Sequence, residues 1–272
     1  MLTPEVKNNI KSSLEKGELN NKVMLNDHVV TTFERKQYII PYDNTKRKIT
    51  NKIKRAVATT IVNSITKRIN KTTKIVGLEN LWDLHGGPAI VTANHFSPVD
   101  STVVRFLANR IGKKRRLSII VAESNIFMPG YLGWLLKSIN TMPFTNDFTY
   151  LEQNFNPSFQ KRLAQNHLIL FYPEQEMWPG YTKPRQLKPG AYHYACKFNV
   201  PILPTFITME RIDGIIHYTI HVFPLIYPDQ CKTLKENKET MMNLDFAYKK
   251  KCYETVYQKK LIYEFSESDL IF

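Results

Sequence analysis

Short runs of apolar residues recur along the chain, separated by polar segments. Three of these runs are continuous, which is typical of strands buried on both faces; they cover residues 89–93, 117–122 and 168–172. Residues 215–226 alternate between apolar and polar positions, which also predicts a strand. Helical patterns are found at residues 149–165, 187–198 and 232–264. Strands interleaved with helices predict an α/β fold in which helices cover a mixed sheet.

Residues 46–71 show the most regular pattern in the chain. Isoleucine or valine recurs at every fourth position from Ile49 to Ile69, and lysines and arginines occupy much of the remainder. This pattern predicts a basic amphipathic helix. Such a helix either lies in a bilayer interface or packs its apolar stripe on the rest of the protein. Residues 1–45, in contrast, are polar and give little periodic signal.

These patterns divide the chain into three parts. We expect a polar N-terminal region with the amphipathic helix at 1–71, a catalytic domain at 72–228, and a C-terminal helix packed on that domain at 229–272. Residues 126–136 are apolar but too few to span a bilayer. They are interpreted as core, with a shallow membrane-dipping element or a wall for an acyl chain as alternatives.

The charge of the chain narrows the choice of partners. Its 272 residues carry a formal net charge of +14 with a pI near 9.5, which favours nucleic acid or acidic lipid headgroups. No nucleic-acid-binding motif accompanies the charge, so we expect an anionic membrane surface and no nucleic acid. There is no signal-peptide core and no transmembrane window, and three scattered cysteines fit a reducing cytosol. The sequence predicts a cytoplasmic protein held peripherally at the cytoplasmic face of a membrane.

The candidate chemistry follows directly after the first apolar run. His95 and Asp100 are five positions apart in the stretch NHFSPVD at 94–100. Ser97 and Pro98 predict a helix start, with serine as the N-cap and proline at the first helical position. A neutral imidazole held by a carboxylate can remove a proton from a hydroxyl. The alternative is that Asp100 only satisfies free amides at the helix start, as in a capping box.

Two further blocks lie in register with this stretch: YPE at 172–174 and VPILP at 200–204. Together the three blocks resemble the glycerolipid acyltransferase family, whose bacterial members include the 1-acylglycerol-3-phosphate O-acyltransferases. That family carries Asn-His-x4-Asp, then Phe-Pro-Glu-Gly, then Val-Pro-Ile-x-Pro. The resemblance implies the same α/β architecture, a catalytic pair of His95 and Asp100, and a place for Glu174 in the acceptor site.

The departures from the family pattern concern the acceptor. Two family arginines, which are expected to hold the acceptor's phosphate, fall on Met177 and Asn146. Lys183, Arg185 and Lys188 follow the YPE block. These three cations either bind the phosphate instead or belong to a solvated loop.

We predict that Glu174, by this resemblance, binds the substrate together with Asn94, and that Arg185 and Lys188 do so because they lie close to the YPE block. The cysteines lack metal-type spacing and an HExxH pattern is absent, so we predict no metal site. Trp178 replaces a small or polar residue of the family block and offers a flat apolar surface. Such a surface can stack on a sugar ring or line a lipid groove.

The predicted reaction moves a fatty acyl group from a thioester to a hydroxyl of a lysophospholipid such as 1-acylglycerol-3-phosphate, in phospholipid biosynthesis. His95 removes the hydroxyl proton, Asp100 fixes the imidazole, and backbone amides near Ser97 hold the oxyanion. No cofactor is bound, and acyl-CoA or an acylated acyl carrier protein is the co-substrate. The alternatives are acylation of another hydroxylated lipid such as a glycolipid, a lipid or thioester hydrolase, and a catalytically silent membrane-binding protein.

Overall fold

The computed structural model describes residues 2–25, 27–43, 49–113 and 116–272. Within these ranges seven strands form one sheet. Their bounds are β1 Lys74–Val76, β2 Ala89–Thr92, β3 Leu117–Ala122, β4 Thr141–Phe144, β5 Leu168–Phe171, β6 Ile202–Ile212 and β7 Ile215–Val222. The three continuous apolar runs and the alternating stretch all form strands, as predicted. The apolar pattern does not predict β1, β4 or most of β6.

The strands lie in the order β1-β7-β6-β2-β5-β3-β4. Neighbours are parallel except for β6 and β7, which form an antiparallel hairpin. The predicted mixed sheet is therefore confirmed. All residues of β2 and β5 are buried, as their continuous apolar sequences require. Thr92 is level with Phe171 across this pair of strands, so the loops that follow β2 and β5 leave the sheet at the same edge.

Seven longer helices accompany the sheet within the described residues. Their bounds are α1 Pro4–Glu15, α2 Ile49–Ile69, α3 Asp100–Arg110, α4 Gly130–Ser138, α5 Asn156–Ala164, α6 Gly190–Phe198 and α7 Leu234–Tyr257. Helices α5 and α6 lie where the pattern predicts them. Helix α7 is shorter than the predicted 232–264, because Gln258 adopts a left-handed backbone with φ 53° that ends the helix.

The N-terminal helix α1 is not predicted by the polar pattern of residues 1–45. Its start has the expected signals, since the Thr3 hydroxyl caps the first turn and Pro4 occupies the first helical position. The apolar residues of α1 recur every four positions and pack in a second cluster beside the main core. That cluster contains Val6, Ile10, Leu14, Val23, Trp178 and Tyr181. Helix α1 therefore covers the segment that follows the YPE block.

Helix α2 confirms the predicted amphipathic helix from Ile49 onward, while residues 46–48 lie outside the described residues. Its two halves differ in their surroundings. In the C-terminal half, Val62 and Thr66 are buried against the protein. In the N-terminal half, Ile49 and Ile53 are 75% and 63% exposed. The packing alternative thus holds from Ala58 onward, where the helix joins the hydrophobic core. No helix in the described part of the chain has the length and apolar content to cross a bilayer.

One hydrophobic core includes residues from all three predicted parts of the chain. Helix α7 is attached to the sheet by a buried polar cluster. Lys249 forms an ion pair with Asp245 and donates a hydrogen bond to the Thr92 hydroxyl at 3.0 Å. Asp245 also accepts bonds from the Thr92 hydroxyl at 2.7 Å and the Tyr192 hydroxyl at 2.6 Å. Core residues lie on both sides of the domain boundaries predicted at residues 72 and 228. The division of the chain at these boundaries stays a prediction.

Candidate active site

A histidine and a carboxylate meet in the loop between β2 and α3. Nδ1 of His95 lies 2.7 Å from Oδ2 of Asp100. The carboxylate is buried and the imidazole side chain is 23% exposed, so the pair has one closed and one open side. The loop leaves the carboxyl end of a central strand, where α/β sheets place their sites. The structure therefore brings together the two residues that the sequence predicts as catalytic.

The contacts of Asp100 fix the state of the imidazole. Its Oδ2 also accepts hydrogen bonds from the backbone N–H groups of Phe96 at 3.0 Å and Ser97 at 3.1 Å. Because this oxygen acts as an acceptor, Nδ1 of His95 carries the proton and donates it. In the neutral form of the ring, the lone pair is then on Nε2 at the other end. A neutral imidazole in this tautomer can take a proton from a bound hydroxyl.

Helix α3 begins at Asp100 and not at Ser97, which corrects the predicted helix start. Val99 is the N-cap residue and has no capping side chain, while the Ser97 hydroxyl accepts a bond from the Val99 N–H at 3.3 Å. Asp100 still forms half of a capping box, because it accepts the Ser97 N–H. The two alternative roles of Asp100 thus coexist in one carboxylate.

The same contacts correct the predicted oxyanion site. The N–H groups of Phe96, Ser97 and Val99 all donate to acceptors within the loop. None of these three amides is free to hold a tetrahedral oxyanion, because each N–H group carries a single proton.

Tyr172, the first residue after β5, contacts both members of the pair. Its ring stacks on the His95 imidazole, with centroids 4.0 Å apart and planes inclined by 18°. Its hydroxyl donates a hydrogen bond to Oδ1 of Asp100 at 2.6 Å. The sequence pattern does not predict a role for this residue. One sequence feature could have indicated its role: the chain has tyrosine where the family block has phenylalanine, and a half-buried tyrosine hydroxyl needs a hydrogen-bond partner.

Glu174 and Arg185 hold the backbone of the His95 loop. Oε2 of Glu174 accepts the His95 N–H at 3.3 Å, and Oε1 accepts the Arg185 N–H at 2.9 Å. The two side chains form an ion pair at 3.0 Å. The guanidinium also donates to the carbonyl oxygens of Leu19, at 3.1 Å, and Glu176. Two opposite buried charges, each hydrogen-bonded to backbone, form a platform beneath the loop.

This arrangement differs from the prediction that Glu174 and Arg185 bind the substrate. Both side chains are buried, and both terminal nitrogens of Arg185 and both carboxylate oxygens of Glu174 contact protein groups. Burial lowers the pKa of Arg185 from its ordinary value, and the Glu174 carboxylate opposes that shift. The guanidinium keeps its charge. In this structure the two residues hold the backbone of the His95 loop, and their binding of the substrate stays a prediction.

Known proteins share both this sequence pattern and this fold. The sequence matches the family described as Acyltransferase over residues 72–208, a range that contains His95, Asp100 and Glu174. The chain belongs to the acyltransferase family. Its fold is similar to that of the 1-acyl-sn-glycerophosphate (LPA) acyltransferase PlsC from Thermotoga maritima. The TM-score is 0.51 at 16% identity, over 82% of this chain and 89% of that chain. No curated protein matches the sequence.

The cations of this acyltransferase near the YPE block are mostly occupied within the protein. Lys183 is buried in an ion pair with Asp269 at 2.6 Å, and Arg185 is buried in the platform. A solvated loop is therefore wrong for both residues. Lys188 is partly exposed, and its backbone N–H bonds to the carbonyl of Pro173 at 2.8 Å. Of the three cations, Lys188 is the one whose side chain is partly exposed.

Two other predicted contacts with substrate are also corrected. Trp178 is fully buried; its Nε1 donates to the Asn21 carbonyl at 2.9 Å, and its ring lies 4.6 Å from the Arg185 guanidinium. Asn94 is buried as well. Its amide donates to the Ile207 carbonyl at 3.0 Å and accepts the Ile207 N–H at 2.8 Å. Trp178 thus supports the platform, and Asn94 links the end of β2 to β6.

Within the described residues, no group of three or more histidine, cysteine or acidic side chains is arranged to hold a metal ion. His217 and His221 lie on the less buried face of β7, in agreement with the predicted strand alternation. Nε2 of His221 is 3.0 Å from the Thr208 hydroxyl, and burial lowers the pKa of this histidine. These two histidines fit a structural role in the strand.

Proposed function

We propose that this acyltransferase moves a fatty acyl group from an acyl thioester to a hydroxyl of a lysophospholipid such as 1-acylglycerol-3-phosphate. The observation that carries the proposal is the 2.7 Å contact between His95 Nδ1 and Asp100 Oδ2 in a half-open site. The donor is acyl-CoA or an acylated acyl carrier protein, which takes part as a co-substrate. The reaction belongs to phospholipid biosynthesis.

The proposed chemistry is a direct transfer with one general base. Nε2 of His95 takes the proton of the acceptor hydroxyl as its oxygen forms a bond to the thioester carbonyl carbon. Asp100 stabilises the imidazolium that results. The tetrahedral intermediate then collapses, the carbon–sulfur bond breaks, and the departing thiolate takes the proton from the imidazolium. The products are an ester and a free thiol, and no covalent acyl-enzyme is formed.

A phosphate-free hydroxylated lipid is the second candidate acceptor. The positions of the family arginines hold Met177 and Asn146, and Arg185 is buried in the platform. Of Lys183, Arg185 and Lys188, only Lys188 is partly exposed, and one ammonium group lacks the two-pronged geometry of a guanidinium. This observation favours weak phosphate recognition, as a glycolipid acceptor would allow.

The test is lipid-resolved mass spectrometry of reactions supplied with an acyl thioester and a panel of acceptors. The panel contains 1-acylglycerol-3-phosphate, other lysophospholipids and a phosphate-free glycolipid, and free fatty acid is quantified in parallel. We expect ester formation to exceed hydrolysis with at least one acceptor, and to disappear in His95→Ala. Release of free fatty acid that no acceptor suppresses would show a hydrolase, in which the same pair activates water.

We also propose that the protein binds the anionic cytoplasmic face of a membrane. The N-terminal half of α2 exposes Ile49, Ile53 and Val57, and Lys52 and Lys54 are exposed between them. Exposed apolar side chains flanked by cations are what an acidic lipid interface binds.

Neighbouring elements extend this apolar surface. Helix α2 packs against α4, where Tyr131 and Leu132 are also exposed. The segment before α2 exposes Val29 and Phe33, and its His28 stacks on Phe127 directly before α4. A surface built from three segments is larger than the scattered apolar side chains of ordinary protein surfaces.

Vesicle flotation tests this membrane proposal. Binding to vesicles with anionic phospholipid is expected to exceed binding to neutral vesicles and to fall with salt, because salt screens the cations. Lys52→Gln with Lys54→Gln should weaken it. The matched control is Lys250→Gln with Lys251→Gln, an exposed pair on α7. Equal loss in both double variants, or binding that ignores lipid charge and salt, contradicts the proposal.

A further inference from the structure

We infer that Tyr172 is a positioning residue for the proposed transfer, whose hydroxyl fixes Asp100 and thereby tunes the proton affinity of the His95 base. The inference rests on the proposed function only for its kinetic consequence. It starts from two contacts made by one side chain. The ring stacks on the imidazole at 4.0 Å, and the hydroxyl donates to Oδ1 of Asp100 at 2.6 Å.

The Tyr172 hydroxyl completes the hydrogen bonding of a buried carboxylate. Oδ2 of Asp100 accepts from the His95 ring and from the N–H groups of Phe96 and Ser97. Oδ1 receives the Tyr172 hydroxyl. Without that donor, Oδ1 would lose this bond, while the three bonds to Oδ2 would still hold the carboxylate against the imidazole. The hydroxyl therefore gives Asp100 a second point of attachment and shares its negative charge between two hydrogen-bonded oxygens.

The phenol stays protonated and so remains a donor. Burial raises the pKa of Tyr172 well above its ordinary value, and the neighbouring Asp100 carboxylate raises it further, while a hydrogen bond with Ser101 acts the other way. A donor on Oδ1 draws negative charge away from Oδ2. The imidazolium then gains less stabilisation from Asp100 than it would beside a carboxylate without this donor.

Other charged groups near the His95 loop do not replace this effect. Glu174 and Arg185 contact the backbone of His95 and form an ion pair with each other, so their charges largely compensate. The ring of Tyr218 on β7 is tilted against Phe96, with centroids 5.9 Å apart, and the pKa of Tyr218 is raised by burial and by Asp100. Within the described contacts, Tyr172 is the side-chain donor on Oδ1.

This feature distinguishes the chain from its family pattern. The corresponding block of the family begins with phenylalanine, which would preserve the stacked ring but lack the hydroxyl. Tyr172→Phe therefore removes the bond to Asp100 while leaving the ring and its packing in place. Because the substitution restores the family residue, the variant is expected to fold.

The experiment is an NMR titration of the ¹⁵N-labelled histidine rings, with the His95 signal assigned from its loss in His95→Gln. We expect the titration midpoint of the His95 ring to rise in Tyr172→Phe by about 0.5–1 pH unit, a part of the range that neighbouring groups produce. The matched control is Tyr192→Phe, which removes another 2.6 Å bond from a buried tyrosine to a buried aspartate, Asp245. That control should leave the His95 midpoint unchanged.

A second measurement looks for the hydrogen bond itself in the wild-type protein. The Tyr172 hydroxyl proton should give a downfield NMR signal that is protected from exchange, and this signal should be lost in Asp100→Asn. A midpoint that is unchanged or lower in Tyr172→Phe, or a shift of equal size in Tyr192→Phe, overturns the inference. So does a Tyr172 hydroxyl signal that persists unaltered in Asp100→Asn.

Acyl-transfer kinetics supply the functional consequence. The acidic limb of the pH–rate profile should move up in Tyr172→Phe by the same amount as the midpoint, because the base must be unprotonated to act. If no acceptor is acylated yet the midpoint shifts, the proposed function fails and the assignment of Tyr172 stands. If acylation occurs and the midpoint does not move, the assignment of Tyr172 fails and the function stands.

Discussion

Replacement of Asp100 by asparagine separates the catalytic role of this carboxylate from its structural role. An asparagine can place its oxygen where Oδ2 lies, within reach of the His95 ring and the N–H groups of Phe96 and Ser97. Its amide nitrogen then faces the Tyr172 hydroxyl, which can turn to accept a bond. Asp100→Asn therefore retains the contacts of the loop and removes the negative charge that stabilises the imidazolium.

The expected magnitudes follow from these contacts. Loss of support for a general base lowers turnover by about 10²–10³-fold, within the range of such catalysis, which corresponds to about 3–4 kcal/mol of barrier. The free energy of unfolding should change by no more than about 1–2 kcal/mol, since the hydrogen bonds become neutral but are not lost. Asp100→Ala, in contrast, leaves the N–H groups of Phe96 and Ser97 without an acceptor. That variant should lose about 2–6 kcal/mol of stability, at about 1–3 kcal/mol per group.

The assay compares product formation, measured by mass spectrometry, with urea unfolding of the same preparations. Asp100→Asn should be folded and nearly inactive, and Asp100→Ala should be both inactive and unstable. A folded Asp100→Asn protein with turnover comparable to that of the wild type would refute the catalytic role. Asp100 would then serve only to brace the loop.

Three further predictions concern the base, the platform and a buried histidine. His95→Ala should lower transfer by about 10²–10⁴-fold without unfolding the protein; near wild-type turnover would contradict the mechanism. Arg185→Met should lower the free energy of unfolding in urea by about 3–5 kcal/mol, because Glu174 loses its buried partner, whereas Lys188→Ala should only raise the KM for phosphate-bearing acceptors. The reverse pattern would place the phosphate on Arg185. Burial lowers the pKa of His167 from 6.5 to about 4, so the unfolded chain protonates first as the pH falls. His167 should make stability decrease from pH 6.5 to 4 by up to about 3 kcal/mol, and His167→Gln should make the decrease smaller by that amount.

Strands with a continuous apolar sequence could be predicted because burial on both faces demands such a sequence. Strands β2, β3 and β5 are of this kind. Strand β1 has three residues and includes Lys74, and β4 contains Pro143, so neither has the composition of a buried strand. Both lie at the edges of the sheet, where pairing with one neighbour suffices. These two strands form because a neighbouring strand pairs with them, and their own sequence of apolar and polar residues does not predict them.

The catalytic pair could be predicted because both residues lie in one short stretch of sequence. His95 and Asp100 are five positions apart, and a helix start after a strand brings such residues together. The contact of Tyr172 with Asp100 spans 72 positions, and that of Glu174 with Arg185 joins two segments of irregular backbone. Contacts of this kind arise from strand order and loop path, which no local pattern specifies.

The role of each polar residue near the site depends on whether its side chain is already hydrogen-bonded or ion-paired within the protein. Lys183 and Arg185 look like a basic surface in the sequence, yet each is buried with a carboxylate. Asn94 looks like a ligand-binding amide, yet both of its polar atoms bond to Ile207. Burying an unpaired polar group is costly, so such groups bond to the nearest protein partner. Sequence position alone does not reveal whether a partner is present.

The His95 loop is held from several directions by segments that lie far apart in the chain. The loop after β5 donates two backbone bonds to it, from Trp178 N–H to the His95 carbonyl at 3.0 Å and from Gly180 N–H to the Phe96 carbonyl at 2.9 Å. Gly180 has φ 71°, and a Cβ there would lie 2.3 Å from the ring of Phe272. A side chain at this position would push the C-terminus away from the loop.

The N-terminal segment completes this support from outside the family-matched range, which begins at residue 72. The Asn20 amide donates to the carbonyls of Glu174 at 3.0 Å and Gln186 at 2.7 Å, and Leu19 accepts from the Arg185 guanidinium. The position of the platform, and through it that of the base, therefore depends on a segment that the family pattern does not contain. With its buried side fixed in this way, the His95 ring has one free direction, toward its exposed edge. A bound hydroxyl must lie at that edge for Nε2 to take its proton. Because the loop is fixed, an acceptor that binds there is already oriented for proton transfer.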